Sequence, residues 1–328
     1  MAKTSKTMNK ENKEPIFEFD LSFIASFFRS IDRQGPGGDE QTLRALEFLP
    51  ETGPDLRIAD IGCGTGHQTE VLARHLGGTI TAVDLLPEMI EGLEVRMRRA
   101  GLNDRVTGLV GSMDDLPFRD GEFDLIWAEG SIYNIGFGRG LAEWRRFLKP
   151  GGVIAVTECS WLSGARLPES KFIRENFPDI DTPSAKVHIL EEAGYAPLAH
   201  FALPPHCWTE NYFALTAARL PAFLEEQGHS PVAVRFAELM HEEAAHYRQY
   251  GSYYGYVFYI GRKRYRLPIT RKARFRRKSG LFFRFRKKVT PAKGRRCAPA
   301  RRRKKRRFPT PAGCLRSGPR SWPRRSPT

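Results

Sequence analysis

The segment from Arg262 to Thr328 contains no aspartate or glutamate, although it carries 28 of the 53 lysine and arginine residues of this 328-residue chain. Residues 1–261 hold all 37 acidic residues, so their formal net charge is −12, while that of the whole chain is +16. A positive net charge normally predicts contact with nucleic acid or anionic lipid. Because the charge is confined to one end, it says little about the partners of residues 1–261, and we interpret the two parts separately.

Cysteine is scarce, and its five positions are scattered (Cys63, Cys159, Cys207, Cys297, Cys314). The odd number and the lack of a C-x-x-C pair argue against a disulfide framework and a structural zinc site. No apolar run approaches the roughly 18–20 residues of a membrane span, and the polar residues 1–14 lack the apolar stretch of a secretory signal. We therefore expect a cytoplasmic protein without a membrane span or bound metal. The sequence does not define the oligomeric state.

Three segments differ in composition. Residues 1–15 are polar and residues 263–328 are basic with eight prolines, so we expect both to be disordered. We expect residues 16–262 to form one domain. At its start, the spacing of Ile24, Phe27, Phe28 and Ile31 predicts a helix from about residue 21 whose apolar stripe needs a partner surface.

Short apolar strands and helices alternate through the rest of the domain. The predicted strands lie at 56–61, 79–83, 106–110, 123–128, 152–158, 195–203 and 252–260. The predicted helices lie at 39–49, 68–76, 87–100, 139–148, 184–193, 210–227 and 231–250. This order predicts an α/β fold with a doubly wound, seven-stranded, mostly parallel sheet and helices on both faces.

A glycine turn, Gly62-Cys63-Gly64-Thr65-Gly66, joins the first of these alternating strands to the helix that follows it. Glycines permit a positive φ and a close approach of backbone to ligand, and a helix N-terminus offers free N–H groups. Asp84 ends the next strand, 18 residues beyond Gly66, where a carboxylate can accept from both ribose hydroxyls. The context favours a nucleotide-type ligand over a turn with a purely structural role.

Two ligand classes fit this pattern. A dinucleotide site has the spacing G-x-G-x-x-G, whereas the spacing here is G-x-G-x-G, with His67 at the position of the last glycine. Asp60, two residues before the first glycine, suits a ligand with an ammonium group better than a pyrophosphate. These features favour S-adenosylmethionine and leave NAD as the alternative.

Further motifs follow in order over residues 55–160. Together with Asp60–Gly66 and Asp84, the segments Gly111–Phe118, Phe123–Trp127 and Arg146–Gly152 resemble the motifs of class I S-adenosylmethionine-dependent methyltransferases. They are similar to the branch of ubiquinone and menaquinone C-methyltransferases, and the flanks resemble a bacterial methyltransferase subgroup up to about residue 262. The resemblance implies a Rossmann-like fold, the cofactor S-adenosyl-L-methionine and a methyl-transferring enzyme.

The resemblance also implies a set of cofactor-binding residues. They are Asp60, Gly62, Cys63, Gly64, Thr65 and Gly66 for the methionine part, Asp84 for the ribose, Leu85, Ser112 and Met113 around the adenine, and Glu129 or Gly130 near the sulfonium. The family often has aspartate at the position of Ser112. Serine accepts a hydrogen bond from the adenine amino group more weakly, so Asp114 is a possible substitute.

Methyl transfer from a sulfonium is an in-line displacement, so the main requirement is alignment. A base is needed only if the acceptor must lose a proton. The candidates for a catalytic role are Glu129, Tyr133 and His206, followed by Glu210, and Trp208 and Tyr212 are candidates for the acceptor pocket. Glu129 is best placed, because it follows the fourth strand at the carboxyl edge. The alternatives are a positioning or ion-paired role for Glu129 and core packing for His206, Trp208 and Tyr212.

The acceptor is inferred from absences. The end of the fourth strand lacks the Asn/Asp-Pro-Pro-Tyr of exocyclic-amine nucleic acid methyltransferases, and the chain has no Pro-Cys dipeptide for cytosine C5 chemistry. Both absences favour a small-molecule acceptor. The alternatives are an RNA methyltransferase recruited by the basic tail and a non-catalytic cofactor-binding module. The tail itself binds nucleic acid or anionic lipid, is a solvated segment without function, or lies outside the native reading frame, which is the hypothesis we favour.

Overall fold

The computed structural model describes residues 19–51, 53–164 and 171–265. Residues 1–15, expected to be disordered, and all but the first three residues of the expected tail 263–328 lie outside this part of the chain. Within the described ranges, no helix has the length and apolar character needed to cross a membrane. The same ranges contain no group of three or more His, Cys, Asp or Glu side chains that could hold a metal ion.

Seven strands form one sheet. They are β1 Arg57–Ile61, β2 Thr79–Asp84, β3 Val106–Val110, β4 Phe123–Ala128, β5 Leu148–Trp161, β6 Tyr195–Ala202 and β7 Tyr254–Lys263. The order is β3-β2-β1-β4-β5-β7-β6, with β1 to β5 parallel and β7 antiparallel to both of its neighbours. The predicted doubly wound, Rossmann-like sheet is confirmed. Its strand order reverses between β1 and β4, so the carboxyl ends of these strands border a crevice.

Ten helices accompany the sheet within the described ranges. They are α1 Leu21–Phe28, α2 Asp39–Leu46, α3 His67–His75, α4 Pro87–Ala100, α5 Phe137–Trp144, α6 Lys171–Asn176, α7 Pro183–Glu192, α8 His206–Trp208, α9 Ala214–Glu226 and α10 Pro231–Tyr250. Local signals set several ends: Pro87 lies in the first turn of α4, and Gly101 with φ 68° closes it. A π-helical turn, Thr209–Phe213, joins α8 to α9.

The sheet separates two apolar layers. Along β5, Ala155 packs in the layer that includes α1, α3, α4 and α10, whereas Ile154 packs in the layer with α5 and α7. The apolar stripe of α1 finds its partner in the first layer, where the ring centroid of Phe27 lies 4.9 Å from that of Phe236 in α10. This contact places the segment that follows α1 beside the glycine turn.

Several predicted boundaries differ from the structure, most clearly those before β5. The helix predicted at 139–148 ends at Trp144, a 3₁₀ turn Arg145–Phe147 follows, and β5 begins at Leu148 instead of residue 152. Leu148 already pairs with Phe123, and the register then shifts, so Pro150 lies in an irregular strand start and not in a turn. The prediction also lacks α6, because six residues carry too little periodicity to reveal a helix.

Candidate functional site

A cavity of about 430 Å³ lies at the crevice between β1 and β4. The glycine turn, the residues after β2, β3 and β4, and residues of α1 and of the segment after it line this cavity. Of the residues named from the sequence, those in its wall are Gly62, Cys63, Gly64, Asp84, Leu85, Ser112, Met113, Asp114, Glu129, Gly130, Tyr133 and Tyr212. Among the described residues, Asp60, Thr65, Gly66 and His206 belong to the predicted site without lining the cavity.

Hydrogen bonds occupy the backbone N–H groups of the glycine turn. Those of Gly62 and Cys63 donate to Val83 O at 2.8 and 2.9 Å. The N–H of Gly64 donates to Asp84 Oδ2 at 2.9 Å. A pyrophosphate would need free donors at this turn, so the arrangement argues against the dinucleotide alternative.

Asp60 is fully buried beneath the turn. Its Oδ2 accepts from Thr69 Oγ1 at 2.6 Å and from Gln68 Nε2 at 3.3 Å, whereas Oδ1 has no hydrogen-bond partner among the described residues. Burial raises the pKa of this carboxyl to about 7, and the nearby negative charge of Glu129 adds to the shift. A buried acceptor without a donor provides the oxygen that the expected contact with an ammonium group requires.

Asp84 is held by backbone donors at the end of β2. Gly64 N donates to one carboxylate oxygen, and Leu86 N donates to the other at 3.0 Å. Burial raises the pKa of Asp84. Two backbone donors fix the carboxylate in the cavity wall while each oxygen keeps a lone pair for a further donor, as binding to ribose hydroxyls would require.

Residues after β3 form the next part of the wall. Ser112 Oγ accepts from the backbone N of Asp114 at 3.2 Å. The carboxylate of Asp114, considered as a substitute for the missing family aspartate, forms an ion pair with Arg139 at 2.7 Å. Asp114 is therefore already engaged, and Ser112 remains the side chain placed for an adenine edge.

Glu129 is fixed by three donors. Its Oε1 accepts from Thr42 Oγ1 at 2.7 Å and from Trp127 Nε1 at 2.9 Å, and Arg33 Nη1 lies 3.2 Å from Oε2. The side chains of Arg33 and Glu129 are only 8% and 4% exposed. Protonating this carboxylate would break a buried ion pair, so the geometry favours the positioning interpretation over a role as general base.

Tyr133 and Tyr212 also line the cavity. Tyr133 belongs to a 3₁₀ turn after β4, and Tyr212 belongs to the π-helical turn. His206 is half-buried in α8, and Glu210 is exposed. Trp208 stacks on Tyr247 with ring centroids 4.5 Å apart. The structure thus brings both tyrosines to the cavity, whereas Trp208 packs in the core.

The segment after α1 contributes to the site, although its sequence predicts no such role. Besides the contact of Arg33 with Glu129, Gln34 accepts from Thr65 N at 3.1 Å and donates to Thr65 Oγ1 at 3.0 Å. These contacts make residues 33–36 one side of the cavity. The available signal was the likeness of residues 33–37 to a bacterial subgroup, but that likeness carried no chemistry.

Comparisons with known proteins identify a methyltransferase domain in this chain. Residues 58–152 match the model of a family described as methyltransferase domain. Methyltransferase GfsG of Streptomyces halstedii is 30% identical over 161 residues, which cover 49% of this chain and 57% of that protein. The ubiquinone/menaquinone biosynthesis C-methyltransferase UbiE of Geotalea daltonii is 34% identical over 110 residues, which cover 33% of this chain and 47% of that protein. The chain thus spans about half the length of these relatives.

The fold has solved counterparts. A methyltransferase from Geobacter sulfurreducens, crystallised with S-adenosyl-L-homocysteine, aligns with a TM-score of 0.65 at 19% identity over 75% of this chain and 99% of that one. At this identity the likeness shows a common fold. The match of residues 58–152 to a methyltransferase domain and the named relatives confirm the resemblance to class I S-adenosylmethionine-dependent methyltransferases that the motifs indicated.

Proposed function

We propose that the protein binds S-adenosyl-L-methionine in this cavity and transfers a methyl group to a small-molecule acceptor. The observation that carries the proposal is the charge of the site. Asp60 lies beneath it, Asp84 and Glu129 line it, and Arg33, the one cation among the described lining residues, is paired with Glu129. A surplus of carboxylates suits a ligand with sulfonium and ammonium groups and disfavours an anionic dinucleotide.

Each part of the wall then has a role toward this cofactor, which supplies an electrophilic methyl group when bound. Asp60 Oδ1 would accept from the ammonium group, directly or through a water molecule. Asp84 would accept from the ribose hydroxyls, and Ser112 and Met113 would border the adenine. Glu129, fixed by Arg33, would maintain a negative charge at the end of β4.

Two observations support a small acceptor. The segment with Arg33 and Gln34 lies over one side of the cavity, and Tyr212 borders another, so the site is a pocket within the fold. The Geotalea relative is named for ubiquinone and menaquinone biosynthesis. The RNA alternative depends on residues 263–328, nearly all of which lie outside the described residues, so no structural observation favours it.

The first experiment measures binding of S-adenosylhomocysteine to the full-length protein by calorimetry. We expect tight binding by the wild type and by Asp104→Ala, which removes an exposed aspartate, and a loss of at least tenfold in Asp84→Ala. A folded Asp84→Ala variant that binds normally would contradict the assigned site.

The second experiment follows a labelled methyl group from S-adenosylmethionine into the fractions of a cell extract. We expect label in the small-molecule fraction, where mass spectrometry identifies the product. Label in RNA would replace the proposed acceptor class by the RNA alternative. Binding without transfer to any fraction would favour the non-catalytic module.

A further inference from the structure

The wall of the cavity leads to a second acidic group that none of the roles above uses. Tyr212 lines the cavity, and its hydroxyl donates to Glu243 Oε2 of α10 at 3.3 Å. Glu243 itself is not among the described lining residues. The side chain of Tyr212 therefore lies in the wall between the cavity and a carboxylate behind it.

The π-helical turn fixes the position of this phenol. The extra residue of a π-helical turn is energetically unfavourable, and such turns occur frequently at functional sites. Tyr212 is 6% exposed. Its neighbour Asn211 donates to Gly37 O at 2.7 Å, which ties the turn to the segment that carries Arg33. The turn that carries Tyr212 is thus attached to that segment through Asn211, and the Tyr212 hydroxyl is attached to α10 through Glu243.

Neutral groups surround the Glu243 carboxyl. The groups close enough to affect its charge, or to be affected by it, are Tyr212, Tyr254 and Tyr256 of β7 and Cys159 of β5. On α10 itself, His246 lies one turn away and forms a hydrogen bond with Tyr254 at 2.9 Å. Among the side chains that the structure describes, no lysine, arginine or histidine forms an ion pair with Glu243. Its carboxylate is therefore free to take a proton without breaking an ion pair.

The other carboxylates of the site are already engaged. Glu129 has Arg33 and two neutral donors, and Asp114 has Arg139. Asp60 and Asp84 lie at the glycine turn, where we propose that the cofactor binds. Tyr212 thus links the cavity wall to a carboxylate that forms no ion pair with a described side chain.

We propose that Tyr212 and Glu243 form a proton relay and that the methyl acceptor carries an O–H or N–H bond that breaks in the reaction. This inference rests on the proposed function. The acceptor proton binds Tyr212 Oη while the phenolic proton moves to Glu243 Oε2. The electron pair of the broken bond stays on the acceptor atom that receives the methyl group. Glu243, which is partly exposed, then releases the proton to solvent.

The acidities agree with this division of roles. Burial raises the pKa of Glu243 to about 7, which gives the carboxylate the basicity of an effective general base near neutral pH. Burial also raises the pKa of Tyr212 far above its usual value. Tyr212 therefore remains a phenol and passes a proton on without storing charge.

The first test needs no acceptor. Infrared difference spectra of the full-length protein, recorded against pH with saturating S-adenosylhomocysteine, detect protonated carboxyl groups. We expect a band that titrates near pH 7, is missing in Glu243→Gln, and changes in frequency or midpoint in Tyr212→Phe. Glu242→Gln is the matched control, because Glu242 is an exposed neighbour on α10 paired with Arg235. A spectrum unchanged by Glu243→Gln would overturn the relay.

The second test measures methyl transfer into the labelled small-molecule product between pH 5.5 and 8.5. We expect the wild-type rate to rise about tenfold per pH unit below 7 and then level off. Tyr212→Phe and Glu243→Gln should lower the rate about 10²-fold with S-adenosylhomocysteine affinity within about twofold of wild type. Glu243→Asp should restore part of the rate with a displaced pH profile, which a purely structural role would not produce.

Glu243→Gln with the wild-type rate and pH profile would refute the relay and leave the proposed function standing. Failure of the proposed function has a different appearance, because the wild type would then bind no S-adenosylhomocysteine or transfer no label, whatever the infrared spectra show. Loss of binding in Glu243→Gln would assign the residue to folding or cofactor binding and likewise overturn the relay.

Discussion

The two sides of the cavity are built in different ways. On one side, the glycine turn, Asp84, Ser112 and Glu129 all follow strands of a single continuous stretch, residues 57–130. The other side is assembled from α1, the segment after it and the π-helical turn, which are far apart in sequence. Behind it, α10 accepts a hydrogen bond from Tyr212 of that turn. The first side depends on local turns at strand ends, which doubly wound sheets share. The second depends on tertiary contacts specific to this chain.

The largest effect should come from separating the two sides at the ion pair that joins them. Arg33→Met leaves Glu129 buried without its cation, and we expect the free energy of unfolding to fall by about 3 kcal/mol. Arg57→Met is the control, because Arg57 is 45% exposed in its pair with Glu122 and should cost less than about 1 kcal/mol. Urea denaturation measures both. Equal losses would mean that the Arg33 pair contributes no more than a surface pair.

The contribution of the glycine turn to cofactor binding can be tested with two glycines that have similar backbone strain. Gly64 and Gly101 have similar positive φ values, 54° and 68°, but a Cβ at Gly64 would collide with Gln34, whereas a Cβ at Gly101 would meet nothing within 4 Å. We expect Gly64→Ala to weaken S-adenosylhomocysteine binding about tenfold, because the Gln34 side chain must move away from its contacts with the turn. Gly101→Ala should bind within about twofold of wild type at a similar melting temperature. Equal affinities would show that the turn does not contact the ligand.

Asp60 should make cofactor binding depend on pH. The pKa of Asp60, about 7, lies above the ordinary value of an aspartate. The neutral acid therefore stabilises the folded free protein. This stabilisation is complete below the pKa of the unfolded chain and is lost as the pH rises through 7. An ammonium ligand requires the ionised form. The affinity for S-adenosylhomocysteine should therefore fall about tenfold per unit below pH 7, as measured by calorimetry.

Asp60→Asn serves as the matched variant. Its affinity should be lower than that of wild type at pH 8 and should not change between pH 6 and 8. A wild-type affinity that is independent of pH over this range would place the ammonium group away from Asp60.

The sequence predicted the locally built side well. The bounds of β3, β4 and α4 coincide with the predicted ranges, and the glycine turn and Asp84 border the crevice. The signals for this side are alternating apolar runs, glycines and an acid at a strand end. Each involves residues that are close in sequence, so each can be recognised in one sequence without the tertiary structure. Asp60 and Thr65 support the turn without lining the cavity. The sequence motif does not distinguish such supporting residues from those that line the cavity.

The other side could not be predicted for a physical reason. The apolar stripe of α1 indicated that a partner was needed, but its partner Phe236 is over 200 positions away. The pair of Arg33 and Glu129 joins positions 96 apart, and no periodicity connects them. The predicted helix 210–227 concealed the π-helical turn, because an added residue shifts the side chains without changing composition.

The smallest effect tests the adenine edge. Ser112 lines the cavity where the family often has aspartate, and Ser112→Asp would supply a charged acceptor for the adenine amino group. A hydrogen bond to a charged group contributes more than a neutral one, so we expect S-adenosylhomocysteine to bind roughly threefold more tightly at pH 8. The gain should vanish at pH 6, because a further negative charge in a site that holds Asp60, Asp84 and Glu129 favours protonation of Asp60. Ser112→Ala is the control, because it removes the acceptor without adding charge and should weaken S-adenosylhomocysteine binding. Weaker binding by Ser112→Asp at both pH values would place the adenine elsewhere.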